Sequence, residues 1–358
     1  MRLLGALALV AIGVVDLRTA EACATAPPRG EEVRIAEEEA LIVWDPATKT
    51  EHFIRRAAFQ STARKFGFLV PTPTTPQLSE VPDSIFWSLA NLIRREVKYD
   101  RSETTYRAGA WLFESCMLMK GASKATAVGE PAAVRVLATA NVAGFDATTV
   151  EADDAKALTA WLGDNGFEAT PQLTAWLERY VTEKWKVTAF VVASAAEGQS
   201  NRYEIATKAV KMTFPAERPF YPYREPQIEM TVETNAKLAP ANRLLRVFFV
   251  SNERYAATLA DQPWSARVLH AAPVATPPMD LEAAIGTQRY LTVFVDESSP
   301  RRGIEELYFA PSTDKAEVRQ PAEVIRYPDV VTIPVDLIIL VAIVGFFVVR
   351  RVRRRTAP

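Results

Sequence analysis

Few side chains in this 358-residue chain could do chemistry. Histidine is the commonest metal ligand and general base near neutral pH. There are only two, His52 and His270, far apart and without partners at ligand spacing. The two cysteines, Cys23 and Cys116, are equally scattered, so a zinc site would require all four residues to converge from separate regions. The Gly-x-Ser-x-Gly elbow of many serine hydrolases is missing, as are the Walker and dinucleotide glycine patterns that cradle phosphates. A cysteine nucleophile would have to be Cys23 or Cys116 working with a distant histidine. No cofactor and no metal is expected. Carboxylates are plentiful, with 43 acidic residues. A glycosidase-type pair needs only two carboxyl groups about 5–9 Å apart in space, so composition neither supports nor excludes one. Asp153-Asp154 reads as a helix start and Glu37-Glu38-Glu39 as a solvated face. One segment leans toward binding: Pro219-Phe220-Tyr221-Pro222-Tyr223 is stiff and aromatic. Phe220, Tyr221 and Tyr223 would dock a peptide or glycan if exposed, or pack on the core, the commoner fate of aromatic rings.

The two ends are more informative than the middle. Met1-Arg2, an apolar run from Leu3 to Val15, and Ala20-Glu21-Ala22 before Cys23 form the three parts of a secretory signal over residues 1–22. Cys23 then has three readings. It bridges to Cys116, it stays free, or it is lipidated, although Ala20 and Glu21 make a poor lipobox. An oxidising compartment favours bridges, and a loop of that size would add about 4–5 kcal/mol in the chain-entropy account. At the other end, residues 330–349 are long enough for a membrane span. Asp336 lies toward the outer edge, and Arg350, Arg351, Arg353, Arg354 and Arg355 follow as a stop-transfer cluster, with 350–358 as a basic cytoplasmic tail. The expected topology is single-pass in the cell membrane, body outside and C-terminus inside. Whether the helix is instead cleaved as a sorting signal is left open.

The formal net charge is −1, and without the terminal arginines the body is mildly acidic with interspersed signs. That is no electrostatic footprint for nucleic acid. Within the body, Ala40 to Trp44 reads as a buried strand. Asp45 to Thr50 is turn chemistry, and His52 to Phe59 is the hairpin partner. Phe66 to Val70 is a further strand. A helix capped by Asp83 would carry Ile85, Phe86, Leu89, Leu92, Ile93 and Val97 on one face. Asp153 would cap a helix over 155–162, and Thr170-Pro171 would start the next. Strands follow around 187–193, 203–207, 209–214, 228–234, 244–250 and 290–295, with a short helix near Asp280 to Ile285.

Several of these residues carry a likeness. Trp44-Asp45-Pro46-Ala47-Thr48-Lys49-Thr50, Phe66-Gly67-Phe68-Leu69-Val70-Pro71-Thr72-Pro73, Leu158 to Gly166, Tyr180 to Lys186 and Phe214-Pro215 to Tyr221-Pro222 resemble the bacterial family catalogued as domain of unknown function 2330. The resemblance covers roughly residues 23–310 and implies an exported, often membrane-anchored bacterial product. It brings no activity and no functional residues. Members often carry more cysteine near the mature N-terminus than the single Cys23, which leaves the disulfide pattern open.

The expectation is an α+β protein: a mostly antiparallel β body with a central helical insert, plus one C-terminal transmembrane helix. Its parts would be 23–128 (β-rich with one helix), 129–185 (mixed strand and helical insert) and 186–325 (β-rich). The leading functional reading is a cell-envelope binding or scaffold module. It would contact the bilayer and either an envelope protein or a glycan. The alternative is an envelope hydrolase using a carboxylate pair.

Overall fold

The computed structural model describes residues 19–20, 24–109, 138–193, 203–228, 244–298 and 305–355. The chain divides into two units: residues 1–93 with 128–319, and residues 94–127 with 320–358. It is mostly β, with five helices among the described residues, which fits the α+β class. The signal segment up to Cys23 is almost wholly outside the described residues. Cys116 and the stretch 134–137, expected as a strand, are outside them too.

The first unit is built on an eight-stranded sheet. Its core is β3 (Val33–Asp45) and β4 (Thr50–Ser61), the expected hairpin, paired antiparallel. The turn between them is held by Asp45. Its carboxylate accepts from the Ala47 N–H at 2.9 Å and from the Thr48 hydroxyl at 2.8 Å. Beside β4 lie β11 (Tyr203–Ala206) and β12 (Val210–Pro215), with β6 (Gln77–Glu80) outside β12. On the other side β3 pairs in parallel with β15 (Leu244–Ser251), followed by β19 (Tyr290–Asp296) and β18 (Arg267–Pro273). The segments 23–128 and 186–325 therefore share one sheet.

A second sheet of five strands is antiparallel throughout, in the order β2 (Ala24–Ala26), β5 (Lys65–Thr72), β10 (Lys186–Ala193), β9 (Phe145–Val150) and β8 (Ala138–Val142). A four-stranded sheet holds β13 (Phe220–Tyr221), β20 (Leu307–Pro311), β16 (Tyr255–Leu259) and β17 (Gln262–Pro263). A short pair joins β1 (Thr19–Ala20) to β14 (Gln227–Ile228).

Side chains alternate across a strand, and here both faces are apolar. Ile42, Trp44, Phe53, Val247 and Phe249 enter the core shared with the five-stranded and four-stranded sheets. Leu41, Val43, Ile54, Phe248 and Val250 enter a second core under α1 (Ser84–Leu92) and α4 (Met279–Ile285), which supply Ile85, Phe86, Leu89, Leu281 and Ile285. The far face of the five-stranded sheet packs Leu69, Val150 and Val187 beneath α2 (Ala155–Asp164) and α3 (Pro171–Thr182). The layers run helix, sheet, sheet, helix.

The helix starts differ in detail from those expected. Thr170 caps α3 as anticipated, its hydroxyl accepting from the Leu173 N–H at 3.1 Å. For α2 the capping carboxylate belongs to Asp154, not Asp153. Asp83 precedes α1 but does not cap it, because its carboxylate is taken by the Ala209 N–H at 2.7 Å, tying the helix to β12. Val97 is not on that helix and instead opens a strand.

The second unit contains β7 (Val97–Gly109) and β21 (Glu323–Pro334), paired in parallel. The ladder slips at Pro328, which has no N–H to offer. Tyr99 and Tyr327 stack with ring centroids 5.7 Å apart. Next comes α5 (Val335–Arg355). The helix expected over 330–349 thus begins five residues later, since 330–334 belong to β21. Its uncharged run, Leu337 to Val349, rises about 20 Å at 1.5 Å per residue, short of a bilayer core of about 30 Å. Among the described residues no helix is long and apolar enough to cross a membrane.

Burial on both faces has a direct test. Phe248 and Phe249 are adjacent, point to opposite sides and are both fully buried. Phe248→Ala and Phe249→Ala should each lower unfolding free energy by about 3–5 kcal/mol in urea titrations. Wild-type stability in either variant would contradict the four-layer packing.

Candidate functional site

A cleft opens between the two large sheets of the first unit. Its cavity volume is small, about 30 Å³, room for a water or two. Four phenylalanines wall it: Phe59 on β4, Phe68 on β5, Phe145 on β9 and Phe190 on β10. Val210 and Met212 on β12 close one side. The opening lies where β4 changes partner. It pairs with β11 as far as Ala58 and with β12 from Arg55, leaving Thr207 to Ala209 as a crossing loop. Thr207 seals the gap in the ladder. Its N–H and hydroxyl both donate to the Ala57 carbonyl, and its Oγ1 also accepts from the Ala57 N–H. Lys208, on the same loop, is exposed.

One charge lies inside the cleft. Arg55 donates from Nε to Glu38 at 2.6 Å, both side chains being buried, and its guanidinium sits 3.8 Å above the Phe68 ring. A buried ion pair earns its desolvation back only with close geometry. The cation–π contact to the opposite sheet adds to this one. On the other face of the same strands, Glu39 takes hydrogen bonds from Arg56 at 2.8 Å and Arg246 at 2.7 Å, while Arg56 covers Phe86. Glu37-Glu38-Glu39 is therefore not a solvated face. Only Glu37 is exposed, because strand alternation sends Glu38 inward and Glu39 into a paired network.

A second polar cluster surrounds residues 220–225. Of the two readings of the 219–223 segment, docking or core packing, its rings follow the second. Phe220, Tyr221 and Tyr223 are all buried, with Phe220 against Trp185 and Tyr223 against Trp264, so they pack on the core. Around them are polar groups tied by hydrogen bonds. Tyr223 donates to Asp296 at 2.8 Å, Trp176 donates to the Arg224 carbonyl at 3.0 Å, and the Phe220 N–H donates to Glu51 at 2.9 Å. Glu306 accepts from the Tyr180 hydroxyl and from the Arg224 N–H. Burial pushes the Glu306 carboxyl up to about 7, against those hydrogen bonds, and holds Glu51 well above the usual range.

The histidines do not converge. His52 faces Thr213 at 2.9 Å, and burial first, then Lys211, lower its pKa to about 4. His270 is lowered mainly by burial. Among the described residues no group of three or more His, Cys, Asp or Glu is placed to hold a metal. Cys23 and Cys116 lie outside those residues. All five arginines of the expected stop-transfer cluster fall on α5, with Arg350, Arg351 and Arg354 exposed. Sequence reading missed Arg55, Glu38, Tyr180 and Glu306. For Arg55 a clue was available, since it alternates with Phe53, Ala57 and Phe59 on one face of β4.

The first unit thus defines a class: sheets stacked face to face with helical covers, enclosing an apolar cleft and a buried acid cluster. The family profile described as an uncharacterized protein conserved in bacteria, DUF2330, matches residues 18–306. The chain belongs to that family. No curated protein and no solved structure matches it.

Two outcomes follow for the buried charges. Arg55→Leu removes the guanidinium 2.6 Å from the buried Glu38 carboxylate and should cost about 3–5 kcal/mol. Arg55→Leu combined with Glu38→Leu should recover most of that in chemical denaturation. An additive loss in the double variant would show that the pair is not a unit. For Glu306 the sign runs opposite to a paired carboxylate. Its pKa is raised on folding, from 4.5 to about 7, so the native state holds a proton the unfolded chain has released. Stability falls as pH rises between those values and levels off above them. Melting curves of Glu306→Gln should show a shallower decline over that window than the wild type.

Proposed function

We propose that this protein is a membrane-attached extracytoplasmic module that acts by binding rather than by chemistry. The observation that carries the attachment is the surface of α5. Among the described side chains from Ile338 to Val349 the large apolar ones are 48–64% exposed, and at 100° per residue they cover the whole circumference. A helix apolar all round is at home in a bilayer or a large core, not in water. Long arginine stems can lie along the apolar boundary while their charges reach headgroups. The arginine cluster favours the cytoplasmic side, which leaves the body outside, facing envelope protein, glycan or lipid.

Binding is preferred to hydrolysis because of where the acids are. The carboxyl groups with raised pKa, Glu51 and Glu306, are sealed in the core and engaged by hydrogen bonds. The cleft that does open to solvent is walled by rings and aliphatic side chains, with no carboxylate among its lining residues.

Fractionation of cells making the full chain tests the attachment. The chain should stay with the membrane pellet after alkaline carbonate, and deletion of 335–358 should release it. Added protease should reach the body in intact spheroplasts. Full-length chain in the carbonate supernatant would overturn the attachment.

A further inference from the structure

We propose that the apolar face of the β7–β21 ribbon packs against the same face of a second copy of this chain in the same bilayer. This rests on the membrane attachment argued above and adds a partner to it. Register sorts the ribbon into two faces. Tyr99 is opposite Ile325 and Lys98 is opposite Val324, and side chains alternate along each strand. Val97, Tyr99, Ile325 and Tyr327 therefore share one face, and Lys98, Asp100, Val324 and Arg326 share the other. The second face suits water. Arg326 lies 3.7 Å from Asp100 across the ribbon, and Lys98 lies 3.7 Å from Glu96. The first face does not. Its two tyrosines stack on each other, with Tyr99 71% and Tyr327 54% exposed.

A ribbon of this kind is incomplete. Among the described residues neither strand has a second neighbour. Two strands alone are marginal in water, and parallel strands occur almost only where both faces are covered. Lipid tails are a poor cover, because the open N–H and C=O groups along the ribbon's edges would have no partners in hydrocarbon. Direction points to a second copy. Both strands run toward α5, with Gly109 opposite Pro334, and β21 continues into the helix at Val335. Copies held by α5 in one bilayer share an orientation, so a pair is related by a two-fold axis along the membrane normal. That rotation lays β7 of one copy over β21 of the other. Tyr99 then meets Ile325 twice. The register positions of Arg101 and Glu323 fall over Tyr327 and Val97, so no like charges oppose each other. A face about 40 Å long and 10 Å wide gives about 800 Å² between two copies, below the roughly 1,200 Å² of a stable interface in solution. Confinement to one bilayer raises the effective concentration of the copies, so the pairing belongs to the membrane.

The test places the photoreactive residue p-benzoylphenylalanine at position 99 of the full chain, made in the same cells in two differently tagged forms. Irradiation of intact membranes should give a product of twice the chain mass that carries both tags. The same replacement at position 98, on the charged face, should give little or none. Ile325→Asp would bury an unpaired carboxylate in the pairing and should lower the product, counted per chain present, at least about ten-fold. Val324→Asp, the neighbouring change on the charged face, should leave it unchanged. Cross-links to lipid, to the same chain or to a different protein, in place of the two-tag product, would overturn the pairing. Equal product from positions 98 and 99 would do so too, as would equal losses from the two aspartate variants. A chain that stays in the carbonate pellet without a two-tag product sinks the pairing and leaves the attachment standing. A chain in the carbonate supernatant sinks the attachment, and the pairing with it.

Discussion

The structure depends on a sheet that has no face for water. Strands β3, β4, β15 and β19 carry large apolar residues on both sides, so each side needs a cover. Two short helices serve on one side. On the other the cover is a second sheet, which is itself apolar on its far face and needs α2 and α3 in turn. Each layer exists because the one beneath it cannot end in solvent. The buried charges follow the same logic. Strand alternation places Glu38 and Glu39 on opposite faces, and each is met by arginine from a neighbouring strand, with an aromatic ring beneath the guanidinium.

What was legible in the sequence was local. The hairpin across Asp45 to Thr50 could be read, because turn chemistry and flanking apolar runs lie within a few residues of each other. So could α3, because a threonine cap and a proline at the first turn are adjacent signals. The parallel pairing of β3 with β15 could not, because it joins Glu37 to Leu244 and no local pattern encodes a distant partner. Asp83 shows the same limit. Its position suits a cap, and a backbone N–H from Ala209 outcompetes the helix for it. Phe220, Tyr221 and Tyr223 could be read two ways from sequence, as a docking segment or as core, and they are buried, with buried acids among the partners of this stretch. At the C-terminus, composition alone could not divide Val330 to Pro334 from the helix after it. A β-branched run suits a strand, and pairing with β7 decides the matter.

The cleft and the acid cluster divide the first unit's special features into two kinds. The acids are enclosed, and Glu51 and Glu306 each accept a backbone N–H from the 220–225 segment, so they set pH dependence and hold that segment in place. The cleft is small and walled mainly by buried apolar side chains, with Thr207 and Lys208 at its rim. It lies beside the change of partner along β4 between β11 and β12, where Thr207 still bonds to Ala57 while Lys208 and Ala209 cross from one strand to the next.

Parallel pairing of β7 with β21 also sets an order of events during synthesis. Val97 pairs with Glu323, so more than two hundred residues must be made after β7 before its partner exists. In that interval its ladder groups have only water or the wrong strand to bind, the condition under which strand edges recruit neighbouring chains. β3 waits in the same way for β15, and non-local pairings of this kind form slowly. Each unit therefore closes only after its own late strand has been made, β15 for one edge of β3 and β21 for β7.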